Sequence, residues 1–120
     1  LLLLQLFIFS TLTGLTAQDS IAAVRGEDRG TEGQRVSLRC NYETTSNLPN
    51  LHWYKQVSDV EAPQFLLWKG AKNQSKEAYV PNDRYGSVTT DTSTELQIET
   101  ATLADSGLYY CALETQWCNM

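Results

Sequence analysis

A chain of 120 residues with three cysteines and a formal charge of −5 holds one small domain and leaves no room for a second. Its basic residues Arg25, Arg29, Arg35, Arg39 and Arg84 are dispersed, which excludes a nucleic-acid surface, since phosphate binding relies on clustered lysine and arginine. A domain of this size buries only about two-thirds of the surface its unfolded chain exposes, so a covalent brace would matter to it.

The segment from Leu1 to Ala17 carries no charge and opens Leu-Leu-Leu-Leu-Gln-Leu-Phe-Ile-Phe, an apolar core of the kind found in secretory signals, with small Ala17 as the residue before cleavage. No initiating Met is present, so residues 1–17 are expected to be a signal peptide truncated at its N-terminus. The alternative, a membrane anchor, needs about 20 apolar residues. The chain therefore reads as secreted or luminal, in a compartment where disulfides persist.

Gln34 to Tyr42 alternates, with Val36, Leu38, Cys40 and Tyr42 on one face, and predicts a half-buried strand. Thr44, Thr45, Ser46, Asn47, Leu48, Pro49 and Asn50 form a polar stretch with loop composition. Leu51 to Gln56 predicts the next strand, with Leu51, Trp53 and Lys55 facing one way and His52, Tyr54 and Gln56 the other. After a turn over Ser58 to Ala62 comes the apolar run Pro63 to Trp68, then a second polar loop of Lys69, Gly70, Ala71, Lys72, Asn73, Gln74, Ser75 and Lys76. Tyr85 to Thr90 is less regular: Tyr85 and Val88 cannot share a face, so either a bulge or an outward residue is expected. Thr94 to Ile98 alternates and should send Leu96 and Ile98 into the core together with Leu103, and Leu108 to Leu113 predicts the last strand.

Cys40, Trp53 and the run Asp105-Ser106-Gly107-Leu108-Tyr109-Tyr110-Cys111 together resemble an immunoglobulin variable domain. Trp53-Tyr54-Lys55-Gln56, Pro63-Gln64-Phe65-Leu66-Leu67-Trp68 and Cys111-Ala112-Leu113 narrow the resemblance to a T-cell receptor alpha or delta variable segment, over Gln18 to Glu114. The resemblance implies an all-β Greek-key sandwich of V type, a cystine between Cys40 and Cys111 with Trp53 against it, Leu96 in the core, and a Tyr109 hydroxyl bonded to backbone near the preceding corner. It implies a structural ion pair of Arg84 with Asp105. Thr44 to Asn50 and Lys69 to Lys76 become the first and second hypervariable loops, which in this family lie over the helices of a major histocompatibility molecule.

Gln56 takes the place of the glutamine that pairs with the partner variable domain, lined by Tyr54, Pro63, Leu66 and Tyr110; the alternative for Gln56 is an ordinary solvated strand position. The partner would be a beta chain, or gamma if this is a delta chain, with signalling subunits joined through a constant region that the sequence lacks. An antibody light chain, a non-rearranging innate V-type receptor and a homotypic adhesion domain are the competing readings.

A finished receptor domain continues past the second cysteine into a Phe-Gly-x-Gly strand, and here that final strand is missing. Thr115-Gln116-Trp117 can be encoded ACA-CAG-TGG, which contains the recombination heptamer CACAGTG. Residues 115–120 are therefore expected to be translated non-coding sequence after a germline V-type domain spanning 18–114, with Cys118 structurally idle and the edge of the Leu108 to Leu113 strand unpaired. Asn73-Gln74-Ser75 is a glycosylation sequon, used or unused. His52 is the only histidine, no nucleophile elbow or ordered triad surrounds it, and no Cys-x-x-Cys or phosphate-cradling glycine motif exists. No enzyme, cofactor or metal is expected.

Overall fold

The computed structural model describes residues 2–10 and 19–115, with Leu4 the one described side chain of the first stretch. The expected cleavage point at Ala17, and the tail residues from Gln116 on with Cys118, lie outside the described residues.

Strict alternation dictates β4, Val36–Glu43: Val36, Leu38, Cys40 and Tyr42 are buried and the four residues between them exposed. Its neighbours are β2, Ser20–Ala23, and β9, Ser93–Ile98, and β9 in turn pairs with β8, Tyr85–Thr89. The order β2-β4-β9-β8 makes one four-stranded sheet. The facing sheet runs β3-β1-β10-β5-β6-β7, comprising Glu27–Gly30, Leu2–Ser10, Gly107–Thr115, Pro49–Gln56, Gln64–Gly70 and Ala78–Tyr79. The Cys40–Cys111 disulfide joins β4 to β10, hence sheet to sheet, and closes a sequence separation of 71 residues. Constraining a loop of that length removes enough unfolded-state entropy to stabilise the domain by roughly 4 kcal/mol. Trp53, Leu96 and Tyr109 are fully buried around it, and each large apolar side chain so buried contributes about 1.5–3 kcal/mol.

Within β8 the register against β9 is continuous, and Tyr85 is buried while Val88 points outward. The irregularity of that segment is thus an outward valine rather than a bulge. Leu103, expected in the core, is 63% exposed. It sits on a one-turn 3-10 helix, Leu103–Asp105, whose inward position is taken by Asp105 capping Thr102, and Ala101 fills the core instead.

The unpaired edge expected for the Leu108 to Leu113 strand is not found. β1 lies parallel to β10 from Leu4↔Gly107 to Ser10↔Leu113 and antiparallel to β3 from Leu2↔Gly30 to Gln5↔Glu27. An edge strand presents backbone donors and acceptors that demand partners, and the apolar Leu2–Ser10 segment satisfies both neighbours at once. Leu4 is fully buried in the same cluster as Leu38, Trp53 and Leu96. No strand follows β10 among the described residues.

Candidate recognition loops and pairing face

The loop expected over Thr44 to Asn50 is shorter than its composition suggests. Pro49 and Asn50 belong to β5 and are buried; proline is tolerated as the first residue of a strand, where no ladder donor is missed. Lys69 and Gly70 likewise end β6 rather than opening the second loop, which starts at Ala71. Gly70 is needed there, because a Cβ would collide with the backbone carbonyl of Gln74.

The first loop is built from hydroxyl-capped turns. Ser46 N–H donates to Thr44 Oγ1 and Leu48 N–H to Ser46 Oγ, each at 3.1 Å, the local bonding that serine and threonine favour in place of regular structure. Thr44, Ser46 and Leu48 are thereby drawn half-inward, and Thr45 and Asn47 are left exposed. In the second loop Ala71 is buried, Lys72 and Gln74 are half-buried, and Asn73, Ser75 and Lys76 face solvent. The two loops touch: Asn73 N–H donates to Asn47 O at 3.0 Å and Ala71 N–H to Pro49 O at 3.1 Å.

The outer face of β10, β5 and β6 is aromatic. His52, Tyr54, Phe65, Trp68 and Tyr79 form a chain of rings, with centroids 6.4 Å apart for His52–Tyr54, 5.8 Å for Tyr54–Phe65 and 6.1 Å for Phe65–Tyr79. Trp68 stacks on His52 at 6.3 Å. Phe65 and Tyr79 are 38% and 56% exposed. His52 Nε2 and Glu114 Oε1 lie 2.8 Å apart, linking β5 to the end of β10.

Gln56 is half-buried on this face with its amide engaged: Oε1 accepts from the Tyr110 hydroxyl at 2.6 Å and Nε2 donates to Glu61 O at 2.6 Å. Leu66, named from the resemblance as an interface residue, packs in the core at 7% exposure. A register shift opposite Trp53 and Tyr54 turns both Leu66 and Leu67 inward and leaves Phe65 outside. Pro63 is exposed and Tyr54 and Tyr110 are half-buried. Sequence reasoning missed Phe65, Trp68, Tyr79 and Glu114. An aromatic at each end of the Phe65 to Trp68 run was the available signal, hidden by the shift, which breaks the two-residue period.

At the opposite end Arg84 binds Asp105 through two bonds, Nη1 to Oδ1 at 3.2 Å and Nη2 to Oδ2 at 2.7 Å, and also donates to Thr100 O. Asp105 also accepts from the Thr102 N–H at 2.8 Å, and its backbone carbonyl accepts from the Tyr109 hydroxyl. Burial favours the neutral acid, but hydrogen bonds from Arg84 and Thr102, with the charges of Arg84 and Lys55, outweigh it and hold the Asp105 pKa below its ordinary value. Burial in turn pushes the Tyr109 hydroxyl pKa up. Lys55, nearly buried beneath, has its pKa lowered by desolvation and donates to Ala104 O at 2.7 Å. These groups close the sandwich far from the loops.

Among the described residues no group of three or more His, Cys, Asp or Glu could hold a metal, and no helix is long and apolar enough to cross a membrane. What the molecule offers is a loop pair at one end and an aromatic sheet face, the equipment of a variable-type immunoglobulin sandwich that binds rather than catalyses.

Residues 26–119 match the family described as Immunoglobulin V-set domain. The rabbit (Oryctolagus cuniculus) T-cell receptor alpha chain V region RL-5 is 35% identical over 94 residues, 78% of this chain and 67% of its own length. Human (Homo sapiens) T cell receptor alpha variable 3 is 34% identical over 110 residues, 91% of this chain and 92% of its own. Human T cell receptor beta variable 5-8 is 33% identical over 82 residues, 68% and 69% of the two chains. A chain from the solved structure titled "Structural basis of T cell specificity and activation by the bacterial superantigen toxic shock syndrome toxin-1" has the same fold, with a TM-score of 0.61 over 74% of this chain and 75% of its own at 19% identity. This chain belongs to the immunoglobulin V-set family, among relatives that are T-cell receptor variable segments, a non-enzymatic family.

Proposed function

We propose that this chain is the antigen-recognition variable domain of a T-cell receptor alpha or delta chain, pairing through its aromatic face with a beta or gamma variable domain. The loop end then reads peptide presented by a major histocompatibility molecule. The observation that carries the reading is the exposed Phe65 and Tyr79 on a continuous aromatic face. A face of this kind marks an interface, because aromatic anchors in a desolvated patch supply most association energy. Gln56 supports it: an amide NH2 has two donors and Glu61 uses one, so the second is free to reach a partner glutamine. Secretion through an N-terminal signal, display on the extracellular side of the plasma membrane through a constant region, and assembly with signalling subunits complete the reading.

The test is co-refolding of the chain with a T-cell receptor beta variable domain, read by light scattering after size exclusion. A one-to-one heterodimer that Phe65→Asp weakens at least tenfold is expected, with the variant's unfolding midpoint in urea little changed. A chain that stays monomeric, or pairs equally well with Phe65→Asp, overturns the pairing reading.

A further inference from the structure

Lys72 has φ 53°, the left-handed region, and is the one non-glycine residue with positive φ among the described residues. Side chains with a Cβ are disfavoured there, and glycine or asparagine is the ordinary occupant. Something holds lysine in place. Its ammonium donates to Thr44 O at 2.9 Å and to Ser46 O at 3.2 Å, both in the first loop.

With the amides of Ala71 and Asn73, this makes four bonds from the second loop to the carbonyls of Thr44, Ser46, Asn47 and Pro49, all running in one direction. The first loop's amides at Ser46 and Leu48 are already closed by its own hydroxyls. The two loops are complementary: one presents carbonyls, the other donors. A cleft of about 700 Å³ beside Lys72 is also lined by the acidic residues Glu43 and Asp91. Among the described residues the ammonium nevertheless forms no salt bridge with either and binds the loop carbonyls.

We propose that Lys72 is a positioning residue that locks the first loop onto the second, so that Thr45, Asn47, Asn73, Ser75 and Lys76 are presented as one preformed surface. The proposal deepens the recognition reading and rests on it only for what the surface is used for; the lock is a property of the free chain. Lys72 itself is then not a ligand contact, because its charge is spent on the first loop's backbone. A preformed surface loses less conformational freedom on binding than two independent loops.

The test is amide hydrogen exchange on the full chain, comparing Lys72→Met, Lys72→Gly and Lys72→Arg, with urea unfolding as the control for global stability. Methionine keeps the stem and removes the charge. Residues 44–48 should exchange at least tenfold faster in Lys72→Met, with β4 and β10 unchanged. Lys72→Gly removes the strain but also the ammonium, so it should show the same acceleration even where its global stability matches or exceeds that of the wild type. Lys72→Arg should restore most of the protection.

First-loop exchange that is unchanged in Lys72→Met, or rescued by Lys72→Gly, or raised uniformly over the whole domain, overturns the lock. No ligand or partner enters the measurement, so a failed pairing or ligand experiment leaves its outcome untouched.

Discussion

Asp105→Asn isolates the contribution of one buried charge at the closed end of the sandwich. The carboxylate is 1% exposed and holds Arg84 through two bonds and the Thr102 amide through a third. Asparagine keeps the shape and can keep the Thr102 bond with its carbonyl oxygen. Its NH2 then faces the guanidinium, donor against donor, and at least one charged bond is lost. A charged hydrogen bond is worth about 1.5–3 kcal/mol, and breaking a fully buried pair costs about 3–5 kcal/mol. The Arg84 side chain is 41% exposed and can turn to water, so the expected loss at pH 7 sits near the low end, about 2 kcal/mol.

The pH dependence follows from the direction of the Asp105 shift. A carboxyl whose folded pKa lies below its ordinary value of 3.8 contributes stability that is full above that value and is lost as pH falls through the folded pKa. Asparagine does not titrate. The gap between wild type and variant should therefore be about 2 kcal/mol at pH 7 and shrink below about pH 4. Urea unfolding followed by tryptophan fluorescence with the disulfide intact, repeated from about pH 7 to pH 3, measures it from midpoint and slope. A gap that stays constant over that range, or one below about 0.5 kcal/mol at pH 7, would refute the assignment of ion-pair stabilisation to Asp105.

Two further outcomes are expected. Leu4→Ala should destabilise the full chain by about 2–4 kcal/mol, the usual cost of a cavity at a fully buried leucine, and should speed amide exchange along Leu108 to Leu113; a change below about 0.5 kcal/mol would show that β1 does not cover the core in solution. The sequon residue Asn73 is exposed on the short 3-10 turn of the second loop. Secretion from mammalian cells should give a product whose mass falls on treatment with peptide N-glycosidase and which Ser75→Ala renders insensitive, whereas an unmodified wild type would show the sequon unused.

The strands that the sequence made legible are those whose side chains obey one local rule. β4 and β9 alternate apolar and polar residues, each apolar residue faces the opposing sheet, and the period of two reports it directly. Where a tertiary event breaks the period, the local pattern misleads. The register shift beside Trp53 sends Leu66 and Leu67 inward together and leaves Phe65 on the outer face. Leu103 is apolar and one turn before the last strand, yet Asp105 claims the inward position because its carboxylate accepts four hydrogen bonds there, from Arg84 and Thr102. β1 falls within the segment expected as a signal peptide. An apolar run satisfies the rules for a signal core and for a strand alike, so composition does not announce its pairing with β3 and β10.

Composition also hid the division of labour within the loops. Thr44 to Asn50 and Lys69 to Lys76 are uniformly polar, which says that they meet water and nothing about which members do. Bonding decides that: hydroxyls that cap their own turn and an ammonium that caps a neighbouring loop are drawn partly inward, leaving alternate residues outside. The same bonding ties the two surfaces together. Asn50 pairs with Glu114 and Pro49 with Thr115, so the root of the first loop and the end of β10 are adjacent rungs of one ladder. Glu114 also grips His52, which stacks on Tyr54 and Trp68 of the aromatic face. The aromatic face is thus joined to the strand pair that carries the first loop, and the first loop is bonded to the second through Lys72. Under the proposed pairing, a partner on the sheet face would therefore bear on both loops through one continuous set of contacts.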